Sequence, residues 1–148
     1  MTFAVRPLRS GDRGQWDRLW QGYLAFYEER LAPEVTETTW ARLMTEGADP
    51  HGLCAVDPGG RLVGIVHYLF HRSTWSPTSY CYLEDLFVDP TLRGGGIGRA
   101  LIEAVYAAAD RAGSPPVYWL TRHDNATARR LYDRVARLSP FVKYDRPV

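Results

Sequence analysis

The run Arg93-Gly94-Gly95-Gly96-Ile97-Gly98 follows a strand-like stretch, Tyr82 to Val88, and opens a helical one. Four glycines in five positions let the backbone turn sharply, so that several N–H groups converge on one point. A helix beginning there adds unpaired N–H donors and the positive end of its macrodipole. That arrangement suits a phosphate or pyrophosphate. Arg93, permanently charged and able to fork onto phosphate oxygens, fits the same ligand. A glycine-rich turn that holds nothing has the same local pattern. Two nucleotide motifs are excluded by spacing: Arg99 or Leu101 stands where the last glycine of G-x-G-x-x-G belongs, and Gly98 is followed by Arg99-Ala100 instead of the Lys-Ser/Thr of a P-loop. What remains is R-x-x-G-x-G on a strand–loop–helix.

Three further residues carry chemistry. Glu84 and Asp85 interrupt an otherwise apolar strand, and strict alternation puts Glu84 on one face with Tyr82, Leu86 and Val88 while Asp85 points the other way. A carboxylate there is either a base or half of an ion pair with one of the many arginines. Tyr132 falls on the helical stripe Ala128, Leu131, Tyr132, Val135, where periodicity alone makes it a core aromatic. A phenol of pKa about 10 is also protonated at neutral pH and able to donate. Asn125 is a suitable N-cap for that helix.

With these residues together, the chain resembles the GCN5-related N-acetyltransferase (GNAT) superfamily. Arg93, Gly96 and Gly98 fill its [QR]-x-x-G-x-[GA] loop, Asn125-x-x-Ala-x-x-x-Tyr132 is similar to its second signature, and Tyr82–Val88 is similar to the strand that lies along the pantetheine arm. The resemblance implies acetyl-CoA as co-substrate and no metal. Arg93, Gly94, Gly95, Gly96, Ile97, Gly98 and Arg99 would hold the pyrophosphate; Arg99 and Arg129 read equally as reaching the 3′-phosphate end or as a solvated face. Leu86, Phe87, Val88 and Asn125 would contact the rest of the cofactor. Tyr132 would protonate the departing thiolate. Glu84 would serve as base, because a primary amine of pKa about 10.4 is unprotonated in only about one molecule per few thousand at pH 7.

A narrower likeness links Gly22–Glu29, Thr74-Trp75 and Tyr-Leu-Glu-Asp to polyamine acetyltransferases, and the ending Leu131–Tyr144 to the yeast histone/polyamine/D-amino-acid group. It implies that Tyr27, Glu28, Glu29 and Trp75 hold a cationic acceptor, with cation–π attraction worth about 0.5–2 kcal/mol. The same glutamates also read as a solvated helix end. One departure stands out: many members follow the tyrosine helix with Gly-Phe, whereas this chain has Val135-Ala-Arg-Leu-Ser-Pro-Phe141. The expected reaction is acetyl transfer to a primary amine by direct attack in a ternary complex. A small amine, polyamine or amino acid is the first acceptor class, and a protein lysine or N-terminus the second. A non-catalytic acyl-CoA sensor and a nucleotide-binding regulatory module are the competing classes. A homodimer is implied by family likeness.

The elements that must position these groups fit one domain over residues 1–148, 45% hydrophobic. A net charge of +1 gives no broad field for nucleic acid or an anionic membrane. No signal-peptide pattern or membrane-length apolar run is present. Cys54 and Cys81 read as buried thiols of a reducing cytoplasm, and the four histidines show no metal-ligand spacing. Strands are expected near 3–9, 53–57, 62–71, 80–88, 117–121 and 141–144. Helices are expected near 13–31, 38–45 and 97–112, with another following Asn125. Ile97, Leu101, Ala104, Val105, Ala108 and Ala112 should face inward on the third helix. This order predicts an α/β fold, a mixed and mostly antiparallel sheet of six to seven strands with helices on both faces.

Overall fold

The structure, a computed structural model, describes residues 2–148. Strand β1 (Ala4–Pro7) leads to helices α1 (Arg13–Phe26) and α2 (Pro33–Leu43). Strands β2 (His51–Val56), β3 (Leu62–Arg72) and β4 (Ser79–Val88) follow, then helix α3 (Ile97–Arg111), strand β5 (Val117–Tyr118) and helix α4 (Ala126–Val135). The sheet order is β1-β2-β3-β4-β5, antiparallel throughout except for the parallel β4–β5 pair.

Both faces of the sheet are covered, so β3 reads as a continuous apolar run. Val63, Val66 and Tyr68 pack with Leu83, Ile97, Leu101, Ile102 and Val105 on the α3 face. Leu62 and Ile65 pack with Trp16, Leu19, Trp20 and Leu24 on the α1 face. On α3 the buried stripe is Ile97, Leu101, Ile102, Val105, Ala108 and Ala109, while Ala112 lies past the helix and is exposed.

Several boundaries differ from expectation for local physical reasons. Among the described residues the sheet has five strands, not six or seven. Phe141–Tyr144 forms no strand: the segment is exposed and unpaired. Helix α1 stops at Phe26 instead of continuing to 31. Glu28, at φ +55, turns the chain there, and the N–H groups of Glu28 and Glu29 close onto the carbonyls of Ala25 and Leu24. Helix α2 starts at Pro33, whose fixed φ suits a first helical position and whose missing N–H is not needed there. Asp12 occupies the N-cap position of α1 without a capping hydrogen bond. Its buried carboxylate turns back to accept two hydrogen bonds from Arg6, at 2.8 and 3.0 Å, and one from the Arg9 N–H at 2.9 Å.

Candidate active site

The β3–β4 ladder holds the first irregularity. His67 pairs with Asp85 and Tyr68 with Leu83, which leaves Glu84 unpaired in a β-bulge. The extra residue inverts the alternation. Cys81 and Leu83 face the α3 core before it, and Leu86 and Val88 face that same core after it, while Phe87 joins the α1 core. Glu84 therefore does not share a face with Leu86 and Val88 as strict alternation required, and Asp85 turns toward α1, where His67 bonds it. Burial, and then the neighbouring Asp85 charge, raise the Glu84 carboxyl above its usual range, although the residue remains open to solvent.

The second irregularity is a splay. Strand β5 pairs with β4 only at Cys81↔Val117 and Tyr82↔Tyr118. From Leu83 to Val88, β4 is paired on its β3 side alone. A cavity of about 550 Å³ opens beside this free edge. Leu86, Phe87 and Val88 form its floor, Tyr23, Phe26 and Tyr27 come from α1, and Asn125, Leu131 and Tyr132 from α4. A free strand edge can take an extended ligand as a further strand.

The glycine loop closes one end of the cavity. Gly94 and Gly96 both sit at φ +86, a left-handed conformation that side-chain-bearing residues rarely adopt, and Gly96 starts the 15-residue α3. A Cβ at Gly98 would come within 3.3 Å of Leu131, so the first turn of α3 lies tight against α4. The loop is tethered through Asp89, whose buried carboxylate accepts hydrogen bonds from Arg18, Arg61 and the Thr91 N–H and hydroxyl. Free N–H groups at a helix start beside two left-handed glycines fit a pyrophosphate. Of the charges the sequence suggested, Arg93 and Arg99 line the cavity and Arg129 does not. The Arg93 guanidinium stacks over Phe26 and Phe87, at 5.6 and 5.4 Å from the ring centroids. Arg99 pairs with Glu103, and Arg129 donates to the His123 carbonyl. Arg130 and Arg134 line the cavity, one turn apart on α4.

Tyr132 lies on the cavity wall with its ring edge-on to Trp119 at 5.4 Å. Burial, and then the nearby Tyr27, push its phenol up to about 12. Asn125 occupies the N-cap position without capping; its side-chain N–H₂ donates to the Thr121 hydroxyl at 3.2 Å. Of the four acceptor residues, only Tyr27 reaches the cavity. Glu28 and Glu29 are exposed just beyond α1, with Glu28 close enough to Arg122 to raise that guanidinium's pKa slightly behind the effect of Asp124. Trp75 is 78% exposed at the tip of the β3–β4 hairpin, beside Phe141 and away from the cavity. Sequence reasoning missed Tyr23, Phe26, Arg130 and Arg134; the two arginines were legible as an i, i+4 pair on the tyrosine helix. Among the described residues, no three His, Cys, Asp or Glu side chains cluster as a metal site requires, and no helix is long and apolar enough to cross a membrane.

The profile of the Acetyltransferase (GNAT) family matches residues 16–136. D-amino-acid N-acetyltransferase HPA3 of Saccharomyces cerevisiae is 38% identical over 144 residues, covering 97% of this chain and 89% of the yeast protein. Thialysine N-epsilon-acetyltransferase of Bos taurus is 36% identical over 69 residues, 47% of this chain and 36% of the bovine one. Among solved structures, AAC(6')-Iy in complex with the bisubstrate analogue CoA-S-monomethyl-acetylneamine superposes with a TM-score of 0.85 over 100% of this chain and 99% of its own, at 16% identity. At that identity the likeness concerns the fold, whereas the family profile and the yeast relative extend over most of the sequence. The chain belongs to the acetyltransferase (GNAT) family and is an N-acetyltransferase.

Proposed function

We propose that this enzyme moves the acetyl group of acetyl-CoA to a primary amine of a small molecule, an amino acid or polyamine, by direct attack in a ternary complex. One observation carries the reading: the left-handed glycine loop, the free edge of β4 and Tyr132 border a single cavity. The names of the yeast and bovine relatives, for D-amino acids and thialysine, support a small amine acceptor.

Bound acetyl-CoA supplies the thioester carbonyl that the amine attacks. The loop amides from Gly94 to Gly98 and the α3 N-terminus hold the pyrophosphate, with Arg130 and Arg134 adding positive charge at the cavity wall. The open edge of Leu86–Val88 orients the pantetheine arm and offers N–H groups to the carbonyl. Glu84 takes the ammonium proton, directly or through a water; its raised pKa brings it nearer the operating pH, where a general base works best. Tyr132 keeps its proton and donates it toward the sulfur. Direct attack is supported by the two thiols. Cys54 and Cys81 are buried, pushed up to about 11 by that burial, and lie outside the cavity lining. Their unpaired state also fits a reducing, cytoplasmic setting. A homodimer is supported by the exposed apolar tail, Leu138, Phe141, Val142 and Tyr144, which a second copy would cover; light scattering on the purified protein reads this directly.

The testing experiment is thiol release from acetyl-CoA across polyamines, amino acids, aminoglycosides and lysine peptides, with Tyr132→Phe as control. Turnover on one amine class that collapses in the variant is the expected result. Tight acetyl-CoA binding without turnover on any amine would replace this reading by the sensor one.

A further inference from the structure

A line of hydrogen bonds runs through the α1 face of the core to the bulge. The Trp16 indole N–H donates to His67 Nε2 at 3.0 Å, and His67 Nδ1 lies 2.9 Å from Asp85 Oδ2. Indole nitrogen is a donor only, so Nε2 must accept and the imidazole N–H sits on Nδ1, aimed at Asp85. His67 is 1% exposed and its ring is wedged against Trp16 and Trp20, at 5.9 and 5.4 Å, so it cannot turn to another partner. Beyond His67, burial and then the nearby Asp85 charge raise the Tyr23 phenol, and Tyr23 itself lines the cavity. The Asp85 side chain keeps 15% of its surface open.

This line is a clamp, not a proton wire, because it ends at an indole that neither accepts nor gives up a proton. Packing alone would be served at position 67 by an apolar side chain; a buried imidazole bonded at both nitrogens fixes one orientation of one carboxylate. That carboxylate sits beside Glu84, on the residue where the bulge turns the strand toward α1.

We propose that Trp16 and His67 are positioning residues for the acceptor: they hold Asp85 as a fixed carboxylate whose free lone pairs receive the acceptor's ammonium, leaving proton removal to Glu84. The proposal rests on the amine-acceptor reading above. It assigns the two neighbouring carboxylates different tasks, one immobilised for docking and one solvent-reachable for proton transfer.

The test separates amine binding from cofactor binding. Asp85→Asn should raise the amine KM roughly 10–100-fold, the range for losing a hydrogen bond to a charged group, with acetyl-CoA Kd held within about twofold. Trp16→Phe, which deletes the indole N–H and keeps an aromatic ring, should raise the amine KM about threefold to tenfold at a smaller cost in kcat. His67→Leu should match Asp85→Asn, and His67→Gln, which retains an N–H for Asp85, should recover part of the loss. An unchanged amine KM in folded Asp85→Asn, or a Trp16→Phe that lowers Tm without moving amine KM, overturns the proposal. Should the wild type acetylate no amine, the function reading fails separately. The ¹⁵N signals of His67 then decide on CoA-loaded protein titrated with spermidine and with lysine: movement that Asp85→Asn abolishes supports the clamp, and no movement overturns it.

Discussion

Arg18 of α1 donates to Asp89 at the end of β4 at 3.2 Å, tying the cavity wall to the root of the glycine loop. Arg61 reaches the same carboxylate oxygen from the β2–β3 turn, also at 3.2 Å. Asp89 is buried, whereas Arg18 and Arg61 are 42% and 58% exposed at their side chains. Asp89→Ala should therefore destabilise the fold by about 2–3 kcal/mol, less than the loss of a fully buried pair because both arginines keep their water. Urea denaturation checks this, with acetyl-CoA Kd rising in parallel as the loop loses its tether.

Acid should act through the same group. Hydrogen bonds from Thr91, ahead of those from Arg18, hold the Asp89 carboxyl below its ordinary range, and the Arg6 fork does so for Asp12. A depressed folded pKa contributes stability that is complete above the unfolded value of about 3.9 and is lost as pH falls through the folded one. Tm should stay level down to about pH 5 and fall below pH 4. Asp89→Asn should flatten that fall; a curve identical to wild type would remove Asp89 from the account.

Tyr132→Phe should lower kcat by about 10²-fold while leaving Tm and acetyl-CoA Kd close to wild type, since only a hydroxyl at the cavity wall is lost. Steady-state and binding measurements on the same preparation separate these terms. A variant of full activity would leave Tyr132 as a packing residue against Trp119.

Glu84 predicts a pH profile. Because its carboxyl is raised, the basic form is lost at a pH above that of an ordinary glutamate, so the acid limb of kcat/KM should lie above about 4.3. Glu84→Gln should lower kcat/KM by roughly 10²-fold and abolish that limb.

Gly96→Ala tests the loop. A side chain at φ +86 costs about 1–2 kcal/mol, and no neighbouring atom lies within 4 Å of the added Cβ, so the effect is conformational and not a clash. Acetyl-CoA Kd should rise about tenfold with amine KM unchanged.

Much of this site was legible in the chain. The glycine run as the turn that opens α3, and the register of Tyr132 with Leu131 on α4, depend on neighbours a few residues apart and stand as read; the α3 stripe does so as far as Ala108, with Ala112 beyond the helix end. The bulge at Glu84 was not legible: alternation presumes an unbroken ladder, and nothing in Leu83-Glu84-Asp85 marks the extra residue. His67 shows no local pattern in the sequence because its partners lie 51 and 18 residues away. Likeness groups Trp75 with Tyr27, whereas the β3–β4 hairpin places it away from the cavity that Tyr27 lines. Phe141–Tyr144 has strand composition, but composition supplies no partner edge.

The one-sided pairing of β4 beyond Tyr82 has a further consequence. Amide groups on its open side lack a protein acceptor, so hydrogen exchange there should be rapid in the empty enzyme and slow sharply once an extended ligand lies along them. A bare strand edge is also a template for other chains. Cofactor depletion should thus favour edge-to-edge self-association, which light scattering with and without acetyl-CoA would read.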